Sequence, residues 1–171
     1  MTKHSLAIAS MALALLLGAD LSVAQAPPPE GPPPAPPPGP NYKQSMALAT
    51  AALEACAGMD AAVAVSVVDS EGRPRITLVA DGMGGNPATS VRKANTARKY
   101  NMIGTDMEAK EKDDQAFAAE IAADPVNLNA HSGSRPLLSG GKVIGGIGIS
   151  GTSHATAQQC VDAAVSKTGA L

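Results

Sequence analysis

Residues 134–151, SRPLLSGGKVIGGIGISG, are the most glycine-dense stretch of the chain. Pro136-Leu137-Leu138 is a short apolar run, Gly140-Gly141 a turn, and Lys142-Val143-Ile144 opens a second apolar run that lasts to Ile149. Two such runs around a Gly-Gly turn describe a β-hairpin. In the second run Gly145, Gly146 and Gly148 interleave with Ile144, Ile147 and Ile149. A central strand usually carries β-branched side chains, so this much glycine implies another body close to the backbone: a packed helix, a neighbouring subunit or a ligand.

The stretch also contains G-x-G-x-x-G, at Gly146-Ile147-Gly148-Ile149-Ser150-Gly151. A dinucleotide site would need a second parallel strand ending in an acidic residue about 20 residues further on. The final helix fills that interval up to Leu171, so the Rossmann reading is rejected.

Working outward, residues 1–24 have the layout of a secretory signal. Lys3 and His4 form a weakly basic start, the apolar core runs from Leu6 to Leu17, and small residues follow. The apolar run is short for a membrane span, and a retained N-terminal anchor is the alternative. Cleavage after Ala24 is preferred to cleavage after Ala26, which would place Pro27 at the new terminus. Residues 25–41 are a proline-rich linker expected to adopt extended polyproline II. The remaining residues, 42–171, form one domain large enough to bury a core without metal. The near-neutral charge, with 13 Lys+Arg against 15 Asp+Glu, gives no basic excess to suggest nucleic acid. Phe117, Tyr42 and Tyr100 are the only aromatic residues of this kind, so the core must be aliphatic.

Met46, Ala49, Leu53 and Cys56 stand at helical spacing ahead of Gly58. Residues 61–69 read as a buried central strand, Asp69-Ser70-Glu71-Gly72 as a turn, and residues 75–80 as the returning strand. A second helix is expected over residues 88–102, capped by Thr89 or Ser90. A third is expected from Thr105 or Asp106 to Asp124-Pro125. Residues 126–130 read as a short edge strand, and residues 153–167 as the last helix. The expected order is α-β-β-α-α-β-β-β-α, with an antiparallel sheet covered on both faces.

Several of these segments together resemble the GlcG/HbpS family of haem-binding proteins. They are Val67-Val68-Asp69 with Gly72, Asp81-Gly82, Arg92-Lys93-Ala94 with Thr96-Ala97, Gly140-Gly141, and Ile144 to Gly151. The resemblance spans residues 45–164. It implies an α/β (α+β) fold, a profilin-like α/β/α sandwich around a five-stranded antiparallel sheet, often assembled as a homo-oligomer. Members of that family include extracellular haem binders linked to redox sensing and proteins of unknown role encoded beside oxidation pathways, and the resemblance implies one or the other here. Two positions depart from the family pattern: Asn86-Pro87 stand where secreted relatives often have histidine, and Gln158-Gln159 stand where an acidic pair often precedes the cysteine.

The resemblance places Cys56 and Cys160 on helices at the same side of the sheet, and export favours a disulfide between them. Two buried thiols or a haem-thiolate ligand are the alternatives. His131, in the loop entering the glycine-rich hairpin, is the first candidate for an axial haem ligand; His154 is the other histidine beyond the expected signal, and a solvated surface role stands beside each. Gly146 and Gly148 would leave room for a flat ligand. Met83, Met102 and Tyr100 are weaker ligand candidates, since methionine serves as core filler. Arg92, Lys93 and Arg98 could pair with haem propionates or form a solvated helix face. The acidic residues between Asp106 and Asp114 suggest either iron binding or an exposed helix laced by Lys110 and Lys112. No nucleophile constellation is present. The functional expectation is an exported haem or tetrapyrrole binder acting as carrier, scavenger or sensor component. The alternatives are a cofactor-free lyase or isomerase using Lys93 and Asp69 or Asp81, and a non-binding accessory subunit.

Overall fold

The computed structural model describes residues 35–169; the expected signal (1–24) and residues 25–34 of the linker lie outside the described residues. The elements are α1 (Tyr42–Ala57), β1 (Ala64–Asp69), β2 (Pro74–Val79), α2 (Ala88–Tyr100), α3 (Gly104–Asp113), α4 (Gln115–Ala123), β3 (Ser134–Ser139), β4 (Lys142–Ser150) and α5 (His154–Thr168). The strands form one antiparallel sheet in the order β2-β1-β4-β3. Among the described residues no helix is long and apolar enough to cross a membrane.

The glycine-rich hairpin forms as its sequence requires. Gly140 and Gly141 have φ of 56° and 76°, the left-handed pair that a two-residue turn between right-twisted strands needs. The β1–β2 turn is closed by Asp69, whose Oδ1 accepts the backbone N–H of Glu71 at 2.9 Å and of Arg73 at 3.0 Å. Asp69 is therefore a turn-former at one end of the sheet.

Alternation along β1 and β4 divides the core. Val65, Val67, Ile147 and Ile149 face α1 and α5, where they join Leu48, Ala52, Val161 and Ala164 in the main apolar cluster. Each fully buried aliphatic side chain there contributes roughly 1.5–3 kcal/mol relative to exposure. Cys56 of α1 and Cys160 of α5 are bonded to each other, with Cα atoms 5.3 Å apart, so the expected disulfide is present and staples this layer.

The opposite face is nearly bare. Ser66 pairs with Gly148 and Val68 with Gly146, and α2 lies directly on this smooth surface. A Cβ at Gly148 would fall 2.2 Å from the Ser90 carbonyl oxygen, and one at Gly146 would fall 2.2 Å from that of Ala94. Two strand positions thus meet two successive turns of α2, which runs in the opposite direction to β4. The Ser66 hydroxyl bonds the Ser90 hydroxyl at 2.7 Å and that of Thr77 at 2.8 Å, tying helix to sheet. The body implied by the bare backbone is α2 itself, so Gly146 and Gly148 are covered by protein and not open to a ligand.

Two elements differ from the sequence reading. The sheet has four strands, not five, because residues 126–130 form no ladder. Their N–H groups are taken locally or by side chains: Asn127 and Leu128 donate to the Asp124 carbonyl, and Asn129 donates to Thr96 Oγ1 at 2.7 Å. Leu128 and Ala130 are buried instead in a second cluster with Met107, Phe117 and Ile121. The third expected helix is two, α3 and α4. Asp114 breaks it by leaving helical geometry (φ −120°, ψ 99°) and capping α4 through the N–H of Phe117. Similarly, α2 begins after Pro87 with no side-chain cap, so neither Thr89 nor Ser90 caps it.

The end of the proline-rich stretch is not free of the domain. Pro40 is buried, and the Pro38 carbonyl accepts the N–H of Ser70 at 2.9 Å. Asn41 and Gln44 then form a reciprocal capping box that starts α1.

Candidate functional site

The loop 131–133, between α4 and β3, is gripped by three helices. From α2, Lys93 donates its Nζ to the Ser132 carbonyl at 2.6 Å. From α3, Glu108 Oε2 accepts both the Ser132 N–H, at 3.0 Å, and the Ser132 hydroxyl. From α5, Gln158 Oε1 accepts the Gly133 N–H at 2.9 Å. All three polar groups of Ser132 are thereby satisfied by ionisable side chains.

Beside this loop lies a cavity of about 470 Å³, walled by Glu108, Ala109, Lys112, Ser132, His154 and Ala155 among others. Glu108 and Lys112 are one turn apart on α3 and 3.6 Å from each other. Met107 points the other way into the second apolar cluster, which fixes the face that α3 presents. His154, the first residue of α5 after its Ser153 cap, places Nδ1 3.0 Å from Glu108 Oε1. The His131 ring stacks against the His154 ring with centroids 4.6 Å apart and planes tilted by 34°. His131 Nε2 lies 3.7 Å from Glu111 Oε2.

The electrostatics follow from the packing. Burial alone would raise the Glu108 carboxyl, but the Ser132 hydroxyl, the Ser132 N–H and His154 outweigh it and hold it at about 2. Burial lowers the Lys93 ammonium to about 8, with Glu108 acting in the opposite sense. Lys93 is only 4% exposed, so its charge serves the loop and not the solvent.

The other expected site residues are placed elsewhere. Arg92 donates to the Pro125 carbonyl at 2.8 Å and to Thr89 Oγ1 at 2.7 Å, and Arg98 donates to the Ser70 carbonyl at 2.8 Å. Met83 packs across Gly151 and does not line the cavity. The acidic stretch on α3 is interleaved with ion pairs, among them Lys110 to Asp114 at 2.6 Å. Among the described residues no group of three or more His, Cys, Asp or Glu side chains is arranged to hold a metal ion. The sequence gives no sign of Ser132, which carries no local motif; Glu108 stands in it only as one of the acidic residues between Asp106 and Asp114, and Gln158 only as a departure from an acidic pattern.

Comparison with known proteins supplies the context. A family model described as haem degrading protein, HbpS-like, matches residues 41–166. No curated protein matches the chain. A double Glu-to-Asp mutant of Streptomyces reticuli HbpS is similar in structure, with a TM-score of 0.68 and 26% identity over 84% of this chain and 97% of that one. Klebsiella pneumoniae protein ORFY has a TM-score of 0.72 at 19% identity, covering 82% of this chain and 98% of its own. PduOC, solved as a heme complex, has a TM-score of 0.69 at 22% identity, covering 75% and 94%. The last two likenesses, at such low identity, show the fold alone. With the family match running from the capping box of α1 almost to the end of α5, the chain belongs to the HbpS-like family.

Proposed function

We propose that this chain is an exported haem- or tetrapyrrole-binding protein that acts as a carrier, scavenger or redox-sensor component, in the periplasm or outside the cell. The observation that carries this reading is a cavity bordered by an imidazole, in a chain of the HbpS-like family. The donor set fits a haem at its iron and at its rim. The His131–His154 pair offers imidazole nitrogen, with His131 the ligand expected from sequence. Lys112 offers a cation for a carboxylate, and Ala109 and Ala155 give small apolar walls. A haem bound there would supply one-electron and oxygen chemistry. The protein's part is to orient the imidazole and hold the 131–133 loop in place through Glu108, Lys93 and Gln158. Tyr100 and Phe117 pack on each other at 4.9 Å in the second cluster and provide no aromatic wall. Homo-oligomerisation, which would extend the walls of so shallow a cavity, belongs to the same proposal.

The lyase or isomerase reading is less well supported. Lys93 points at a loop carbonyl, and Asp69 is engaged in a turn at the far end of β1. Titration of the purified protein with hemin tests the proposal. The expected result is a shifted, saturable Soret band at one haem per chain. A spectrum matching free hemin with non-saturating uptake refutes it and favours an accessory subunit without ligand.

A further inference from the structure

We infer that His154, rather than His131, presents the iron-ligating nitrogen, and that Glu108, fixed by Ser132, is the residue that positions it. This rests on the haem reading above and names the ligand within it. Three observations converge. First, His154 forms part of the cavity wall together with Glu108 and Ser132, whereas His131 is not part of that wall. Second, the hydrogen bond between His154 and Glu108 fixes the tautomer. An ionised carboxylate only accepts, so at 3.0 Å His154 Nδ1 carries a proton, and in the neutral imidazole the lone pair is on Nε2. A histidine that donates one ring N–H to a carboxylate is both oriented and made a stronger donor at the other nitrogen. Third, the two Glu108 oxygens have separate duties. Oε1 meets His154, and Oε2 accepts the N–H and hydroxyl of Ser132, whose carbonyl is held in turn by Lys93. The imidazole is thus tied through one carboxylate to a loop that α2 and α5 also grip.

His131 lacks such an arrangement. Its nearest carboxylate oxygen, on Glu111, is 3.7 Å away, beyond hydrogen-bond reach. Its ring stacks on that of His154, so it supports the face of the ligand from one side.

The test combines the ligand-free and hemin-loaded full chain. Nitrogen-15 NMR of the ligand-free protein is expected to show His154 as the Nδ1–H tautomer at neutral pH. On hemin titration, His154→Ala should lose the shifted Soret band or weaken binding at least tenfold, whereas His131→Ala should stay within about threefold of the parent. Glu108→Gln should still bind, with affinity roughly 10–100-fold lower, as for loss of a carboxylate that orients a metal-binding histidine. It should also raise the midpoint potential of the bound iron, because the ligand donates less. An Nε2–H tautomer for His154 overturns the inference without any variant. So does loss of the band in His131→Ala with retention in His154→Ala. An unsubstituted chain that gives no saturable band overturns the haem reading itself, a different result from either.

Discussion

Gly148→Ala separates the two explanations of the bare strand. The backbone permits alanine, since Gly148 is not among the glycines with left-handed φ. The whole penalty is therefore steric. The new methyl would lie 2.2 Å from the Ser90 carbonyl oxygen and 2.6 Å from the Ala94 nitrogen, both backbone atoms of α2. Ordinary contact begins near 3.4 Å, so α2 must lift by about 1 Å along much of its seat on β4, as expected for an overpacked core. Overpacking of this kind costs roughly 1–3 kcal/mol, and here the upper figure applies because no flexible side chain can give way. Restricting the unfolded chain returns about 0.4–1 kcal/mol, leaving a net loss near 2 kcal/mol. With a urea slope of about 2 kcal/mol per molar, the midpoint falls by roughly 1 M. Gly84→Ala is the control, because nothing lies within 4 Å of a Cβ there and its φ is not left-handed. Equal midpoints for the two variants would refute the seating of α2 on β4. Loss of hemin binding with stability untouched would restore the ligand explanation of the glycines.

Replacing both Cys56 and Cys160 by serine should lower stability by about 2–5 kcal/mol, the usual range for a native bridge. Alkylation of the unreduced protein should add no label, and uptake of two labels would show the bridge to be absent. Acid should reveal Glu108. Its folded pKa of about 2 lies below its ordinary 4.5, so its stabilisation is complete above pH 4.5 and disappears as the pH falls from 4.5 to 2. The difference corresponds to roughly 3 kcal/mol at about 1.36 kcal/mol per pH unit, reduced to roughly 1–2 kcal/mol by solvent screening of a partly open carboxylate. The stability deficit of Glu108→Gln should therefore be present at pH 7 and gone at pH 2; an equal deficit at both would remove the carboxylate from the network.

What the sequence revealed was what neighbouring residues decide. The Gly140-Gly141 turn and the β1–β2 turn at Asp69 each depend on a few adjacent positions, and each formed where expected. The break at Asp114 was hidden because Asp113-Asp114 continue a charged helical pattern, and only the cap on Phe117 reveals the stop. The edge strand expected over residues 126–130 failed because Asp124 and Thr96, whose groups take its N–H bonds, lie outside the window that periodicity inspects. The site was the least legible part. Glu108 reaches Ser132 across 24 positions and His154 across 46, and nothing in a linear pattern ties them. The bareness of β4 is plain in the sequence, whereas its cause, contact with α2, lies about 50 residues upstream.

The anchored proline stretch governs how the molecule would be displayed. Pro38 is fastened to Ser70, beside the Asp69 end of β1, whereas the cavity adjoins the loop entering β3, near the Ala64 end. Those ends are separated by the length of β1, about 17 Å at 3.3 Å per residue. The described chain therefore joins the domain at the pole opposite the cavity mouth, so a surface that grips the domain at Pro38 would leave that mouth uncovered.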